Sequence, residues 1–159
     1  MARFAKLKFF LFFLFSVAVL SGCSTVLLPK YVPDEHPYKQ LYYASFDETL
    51  DAVIQVLDKF HWTVTEKTDP SLYERNREVV ADGSRQQALI FTEVRTTMFG
   101  LGTRYSRVNV YLRSVAANET EVEVRYVTET SIPFKTFYDY KKNKTVNAML
   151  KKLSDILGT

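Results

Sequence analysis

Cysteine is nearly absent from this chain: Cys23 is the one copy in 159 residues. A lone cysteine excludes an intramolecular disulfide and a cysteine-built metal cluster. Histidine is almost as scarce, with His36 and His61 its two copies. No spacing of a metal-ligand set follows from them, and no acid or nucleophile stands beside His61 in the sequence. That imidazole, next to Trp62 at a helix end, reads as a capping or packing residue. The five glycines form no phosphate-cradling loop, and no strained elbow presents a serine. No catalytic residue, no metal site and no bound cofactor is therefore expected, and the chain does not read as an enzyme.

An excess of one charge is also missing once the chain is divided. The formal net charge of +3 resides in Arg3, Lys6 and Lys8; without them 18 basic residues face 18 acidic ones. A neutral remainder gives no bulk electrostatic case for nucleic acid. Nor is there an apolar run long enough to cross a bilayer, which takes about 20 residues. Residues 9–20 are nearly unbroken Phe, Leu, Val and Ala, but Ser21 and Gly22 end them.

Those residues are informative for what they are. A basic stretch over residues 1–8, an apolar stretch of about a dozen residues and small residues after it make the layout of a cleaved secretory signal. Leu20-Ser21-Gly22-Cys23 resembles the lipobox of bacterial lipoproteins. The resemblance implies that the Cys23 thiol takes a diacylglycerol, that cleavage leaves Cys23 as the first residue, and that its amine takes an acyl chain. Residues 1–22 are expected to be removed. Two or more acyl chains hold a protein on its membrane, each methylene adding about 0.8 kcal/mol. In the lipoproteins this resembles, Asp at the second mature position commonly retains the protein at the inner membrane. Ser24 in that place implies the periplasmic face of an outer membrane if the cell has one, and otherwise the outer face of the plasma membrane.

Residues 23–40 read as the lipidated cysteine and a tether. Pro29, Pro33 and Pro37 remove backbone donors and favour extended geometry, so the segment is expected to be a semi-rigid strap. At about 3.1 Å per residue it would hold a domain up to about 50 Å from the lipid.

A single domain is expected over residues 41–159, with a short first strand at 41–44. Ser45 and Glu48 are spaced as a capping box, and Leu50, Val53, Ile54, Leu57 and Phe60 follow at helical spacing. Residues 62–66 alternate as a strand. Residues 71–83 stay open between a helical turn over 72–77 and a short strand over 78–81. Strands are expected over 87–96, 104–114 and 121–128, the last two joined as a hairpin through residues 115–120. Asn118-Glu119-Thr120 matches a glycosylation acceptor but reads as turn chemistry. Alternation puts Val108, Val110 and Leu112 on one face, with Arg107, Asn109, Tyr111 and Arg113 on the other. That second face is expected to be solvated, with Arg107 and Arg113 near Glu121 and Glu123. Val146, Met149, Leu150, Leu153, Ile156 and Leu157 make a closing helical stripe that Gly158 ends.

The fold class is thus α+β: a two-layer sandwich with an antiparallel sheet of four to five strands and both helices on one face, in the order (β)-α-β-β-β-β-α. This order behind a lipobox resembles the small lipoprotein domains grouped as DUF3568-like, and more distantly the BamC-like helix-grip domains. The resemblance lies in element order and hydrophobic spacing and carries over no functional residue.

Two stretches remain as interaction candidates. Met98, Phe99 and Leu101 sit between two strands, either tucked under the sheet or meeting a partner. Phe137, Tyr138 and Tyr140 precede a run of lysines, either facing lipid headgroups or peptidoglycan or plugging the mouth of the core. The expected activity is that of a non-catalytic envelope lipoprotein whose domain binds another envelope component, protein rather than small molecule. The alternative is a carrier of an apolar ligand between helices and sheet.

Overall fold

The computed structural model describes residues 28–33, 37–74, 86–99, 102–132, 135–139 and 144–159. Cys23, Leu101 and Tyr140 lie outside them, as do most of the residues left open between 71 and 83. The fold is mixed α+β, an antiparallel sheet with two helices.

A long hairpin is its spine. Strand β5, Gly102–Ala116, pairs along its length with β6, Glu119–Ile132, through a two-residue turn at Ala117 and Asn118. That turn is tighter than the six-residue connection the sequence suggested. At the turn end, β3 (Gln87–Thr92) pairs with β5, β2 (Val64–Thr68) with β3, and β1 (Tyr38–Tyr42) with β6. At the open end, β4 (Arg95–Phe99) flanks β5 and β7 (Lys135–Asp139) flanks β6. The sheet therefore has seven strands rather than four to five. The expected strand over 87–96 is two, broken at Glu93 and Val94, and β7 falls in a stretch read only as an aromatic cluster. β1 begins three residues earlier than expected.

The first helix, α1 (Phe46–Lys59), starts as its sequence requires: the Ser45 hydroxyl accepts from the Glu48 amide, and the Glu48 carboxylate accepts from the Ser45 amide. Its buried face is Phe46, Thr49, Leu50, Ala52, Val53, Val56 and Leu57. Ile54, expected in the stripe, is 40 % exposed. At 100° per residue it falls beside Val53 on the flank, and Val56 takes the inward position instead.

Helix α1 ends in a Schellman motif: the Trp62 amide donates to the Leu57 carbonyl and the His61 amide to that of Asp58, both at 2.8 Å. The position that motif gives to glycine is His61, at φ 59. The closing helix, α2 (Lys144–Leu157), buries Val146, Met149, Leu150 and Leu153, and Gly158 follows it at φ 70.

Both helices meet the same sheet face. Their apolar residues join Ile90, Val108, Val110, Leu112, Val122 and Val124 in one core, with Trp62 edge-on to Tyr126.

The opposite face departs from expectation. Asn109 and Glu123 are fully buried, Arg125 and Glu129 nearly so, and Tyr111 is buried among Leu89 and Phe91. Two irregular segments cover it. One is residues 28–33, where Leu28 and Val32 pack on Val127, Val94 and Tyr105. The other is the 3-10 turn Pro70–Leu72, capped by the Asp69 carboxylate, which delivers Tyr73 against Phe91 and Tyr31. The charged face is thus roofed rather than solvated. Only its outer end keeps the expected pair, Arg113 with Glu121 at 3.1 Å, half-buried. Arg107 instead donates to the Leu28 carbonyl.

Candidate functional site

The roofed face holds the densest polar chemistry among the described residues. Arg125 sits on β6 with its guanidinium against three elements at once. Nε donates to Glu123, and Nη1 donates to Glu74, to the Tyr31 hydroxyl at 3.2 Å and to the Val32 carbonyl at 3.3 Å. The rings of Tyr31 and Tyr111 lie 5.6 and 6.0 Å from its central carbon. Lys39 on β1 reaches the other Glu123 oxygen at 3.4 Å. Two carboxylates and two cations thus balance beneath the strap.

Burial alone would lower the Arg125 pKa, but the hydrogen bonds and charges of Glu74 and Glu123 outweigh it and hold the group above its usual value. Burial raises the Tyr31 phenol, which donates to Glu74 at 3.0 Å. Burial lowers Arg107. Each charge of the cluster has an opposite partner, although Arg125 Nη2 is buried without a hydrogen bond, and the arrangement has the chemistry of a bolt. It joins strap, turn and sheet. The strap adds one backbone tie, Asn109 donating to the Lys30 carbonyl at 3.0 Å, and one side-chain ion pair, Lys30 with Glu66.

None of Tyr31, Glu74, Asn109, Tyr111, Glu123 and Arg125 was a sequence-level candidate. The available signal was the uninterrupted Ala88-Leu89-Ile90-Phe91: a strand with apolar residues on both parities is covered on both faces.

The sequence candidates fall elsewhere. Met98 on β4 is 84 % exposed, so it does not tuck under the sheet. Phe137 on β7 is 45 % exposed and is no part of the core, so it does not plug it. Phe99 ends β4, and Tyr138 lies on β7. β4, β5, β6 and β7 form one four-stranded ribbon. Register places Met98 opposite Thr103, then Ser131 and Thr136, while Phe137 lies one row nearer the core beside Thr130, Arg104 and Thr97. Met98 and Phe137 are therefore brought to one ribbon but to opposite faces of it, two strands apart. Gly102 makes the close pairing possible, because a Cβ there would meet the Ser131 carbonyl at 2.5 Å.

Between helices and sheet, the described residues leave a cavity of about 10 Å³ lined by Val53, Val56, Val110, Val124, Met149 and Leu153. That is space for about one water. A larger open groove of about 590 Å³ runs beside α1, between Ile54, Gln55, Asp58, His61 and Val64. Among the described residues no three His, Cys, Asp or Glu side chains are grouped to hold a metal ion, and no helix is long and apolar enough to cross a membrane.

Comparison with known proteins adds little to this geometry. No family model and no curated protein matches the sequence. Among solved structures, a di-domain ARO/CYC protein, StfQ, of the steffimycin biosynthetic pathway is similar over 77 % of this chain and 44 % of its own, at 12 % identity and TM-score 0.29. This chain therefore spans less than half the length of that protein. Hypothetical protein jhp0584 from Helicobacter pylori is similar over 86 % of this chain and 98 % of its own, at 12 % identity and TM-score 0.31.

Proposed function

We propose that this chain is a membrane-anchored cell-envelope lipoprotein, lipidated on Cys23, whose non-catalytic domain binds another envelope component. The reading rests on the leader and Leu20-Ser21-Gly22-Cys23, with Cys23 the single cysteine. The supporting observation from the structure is how near the proposed anchor the described packing lies. Leu28 is 7 % and Val32 2 % exposed, so Leu28, five residues after Cys23, is already packed on the domain. A chain cut before Cys23 would keep every packed segment described here and lose only the leader.

The finer reading of the fold belongs to the same proposal: a DUF3568-like or helix-grip domain. The proposed address is the periplasmic face of the outer membrane in a cell with two membranes, and the outer face of the plasma membrane otherwise. The alternative of an apolar-ligand carrier finds little support, since pockets for such ligands run from about 300 Å³ upward and the inter-layer cavity is about 10 Å³.

Fractionation with metabolic palmitate labelling tests the anchor. Wild type should label and sediment with membranes, and Cys23→Ala should do neither. Crosslinking in those membranes should return a recurrent envelope protein; a monomer with no recurrent neighbour would count against the binding role.

A further inference from the structure

The bolted strap changes the reach of the proposed tether. If all of residues 24–40 were free, the domain would sit up to about 50 Å from the lipid. With Leu28 seated on the sheet, the domain is held five residues after Cys23, a span of at most about 17 Å. The exit point also has a direction. From Lys30 back to Leu28 the strap advances from the row of Asn109 to that of Arg107, toward the ribbon. Leu28 packs beside Val127, Val94 and Tyr105. At about 3.3 Å per residue along β6, the Met98 row, opposite Ser131, lies about 13 Å beyond Val127, while the Thr120 end lies about 23 Å behind it.

The ribbon is dressed for a membrane interface. Among the described residues, Met98, Ile132 and Phe137 are its exposed large apolar groups, at 84 %, 37 % and 45 %. Arg95, Arg104 and Lys135 are its cations, all exposed, and Lys135 lies over the Phe137 ring at 4.8 Å. Its two acids among the described residues are Glu129, buried, and Asp139. Apolar groups at the end with cations set among them suit the boundary between acyl chains and acidic headgroups.

We propose that the far end of the β4–β7 ribbon rests on the lipid surface that holds Cys23, with Met98 and Phe137 entering the interface and Arg104 and Lys135 meeting acidic headgroups. The proposal rests on the anchor reading.

Full-length protein made in cells, checked for palmitate on Cys23 and placed in vesicles of phosphatidylcholine and phosphatidylglycerol containing brominated lipid, provides the test. Met98→Trp reports on the ribbon, and Tyr43→Trp on the opposite end, where Tyr43 is 70 % exposed; buried Trp62 in wild type gives the background. Quenching should be at least twofold stronger at position 98 than at position 43, and Arg104→Glu with Lys135→Glu should reduce it. A labelled protein quenched equally at both positions, or at neither, overturns the ribbon's placement and leaves the anchor standing. A protein without label overturns both.

Discussion

Arg125 Nη1 donates to the Val32 carbonyl at 3.3 Å, tying a buried charge in the middle of β6 to the segment that precedes the first strand. The tie explains why a proline-spaced strap lies flat on the sheet. Arg125 is 2 % exposed and draws its acceptors from the protein, and the strap adds a carbonyl and a phenol to the carboxylates of Glu74 and Glu123.

Removing that guanidinium should be costly. Arg125→Met leaves Glu123 buried without the guanidinium that pairs with it, and breaking a buried pair from one side costs about 3 to 5 kcal/mol. Urea denaturation would measure the loss. The strap should also become a protease site in the folded protein. Adding Glu123→Leu should return part of the stability, since the uncompensated charge goes with it. Stability unchanged in Arg125→Met would show that the bolt does not hold the fold.

His61→Gly should stabilise the protein. His61 occupies the left-handed position of the Schellman motif at φ 59, where a side chain is strained and glycine is not. The expected gain is about 0.5 to 1 kcal/mol, the steric cost less the extra freedom glycine gives the unfolded chain. An increased urea midpoint with an unchanged slope is the expected outcome. A histidine with a functional role there would instead show as lost partner binding.

The capping box, both helical stripes and the alternation of β5 and β6 were legible in the sequence, because each depends on neighbours within a few residues. The roof over the second face was not. Arg107, Asn109, Glu123 and Arg125 alternate as a wetted face does, and their burial depends on segments far away in the chain, Leu28 to Val32 and Tyr73 to Glu74. Proline spacing predicts a stiff strap but says nothing of what it leans on. The ribbon is half legible: Met98 and Phe137 stand out as apolar residues in stretches left open between packing and contact, while the pairing that sets them on one ribbon is a matter of register across β5 and β6.

Alkaline stability should depend on Tyr42. Burial pushes its phenol up to about 12, and its hydroxyl donates to the Leu150 carbonyl at 3.1 Å. The unfolded chain releases that proton near pH 10, while the folded protein keeps it. The contribution is therefore complete below pH 10 and is lost as pH rises through about 12. Tyr42→Phe should cost about 1 kcal/mol at neutral pH for the lost hydrogen bond. It should also flatten the fall between pH 10 and 12, seen as converging denaturation midpoints.

Lipidation of Cys23 is tested most directly by the mass of the membrane-extracted protein. The predicted species begins at Cys23 and carries a diacylglycerol on sulfur with an acyl chain on the amine, none of which forms in Cys23→Ala. A chain that retains residues 1–22, or one that begins elsewhere with an unmodified Cys23, would contradict it.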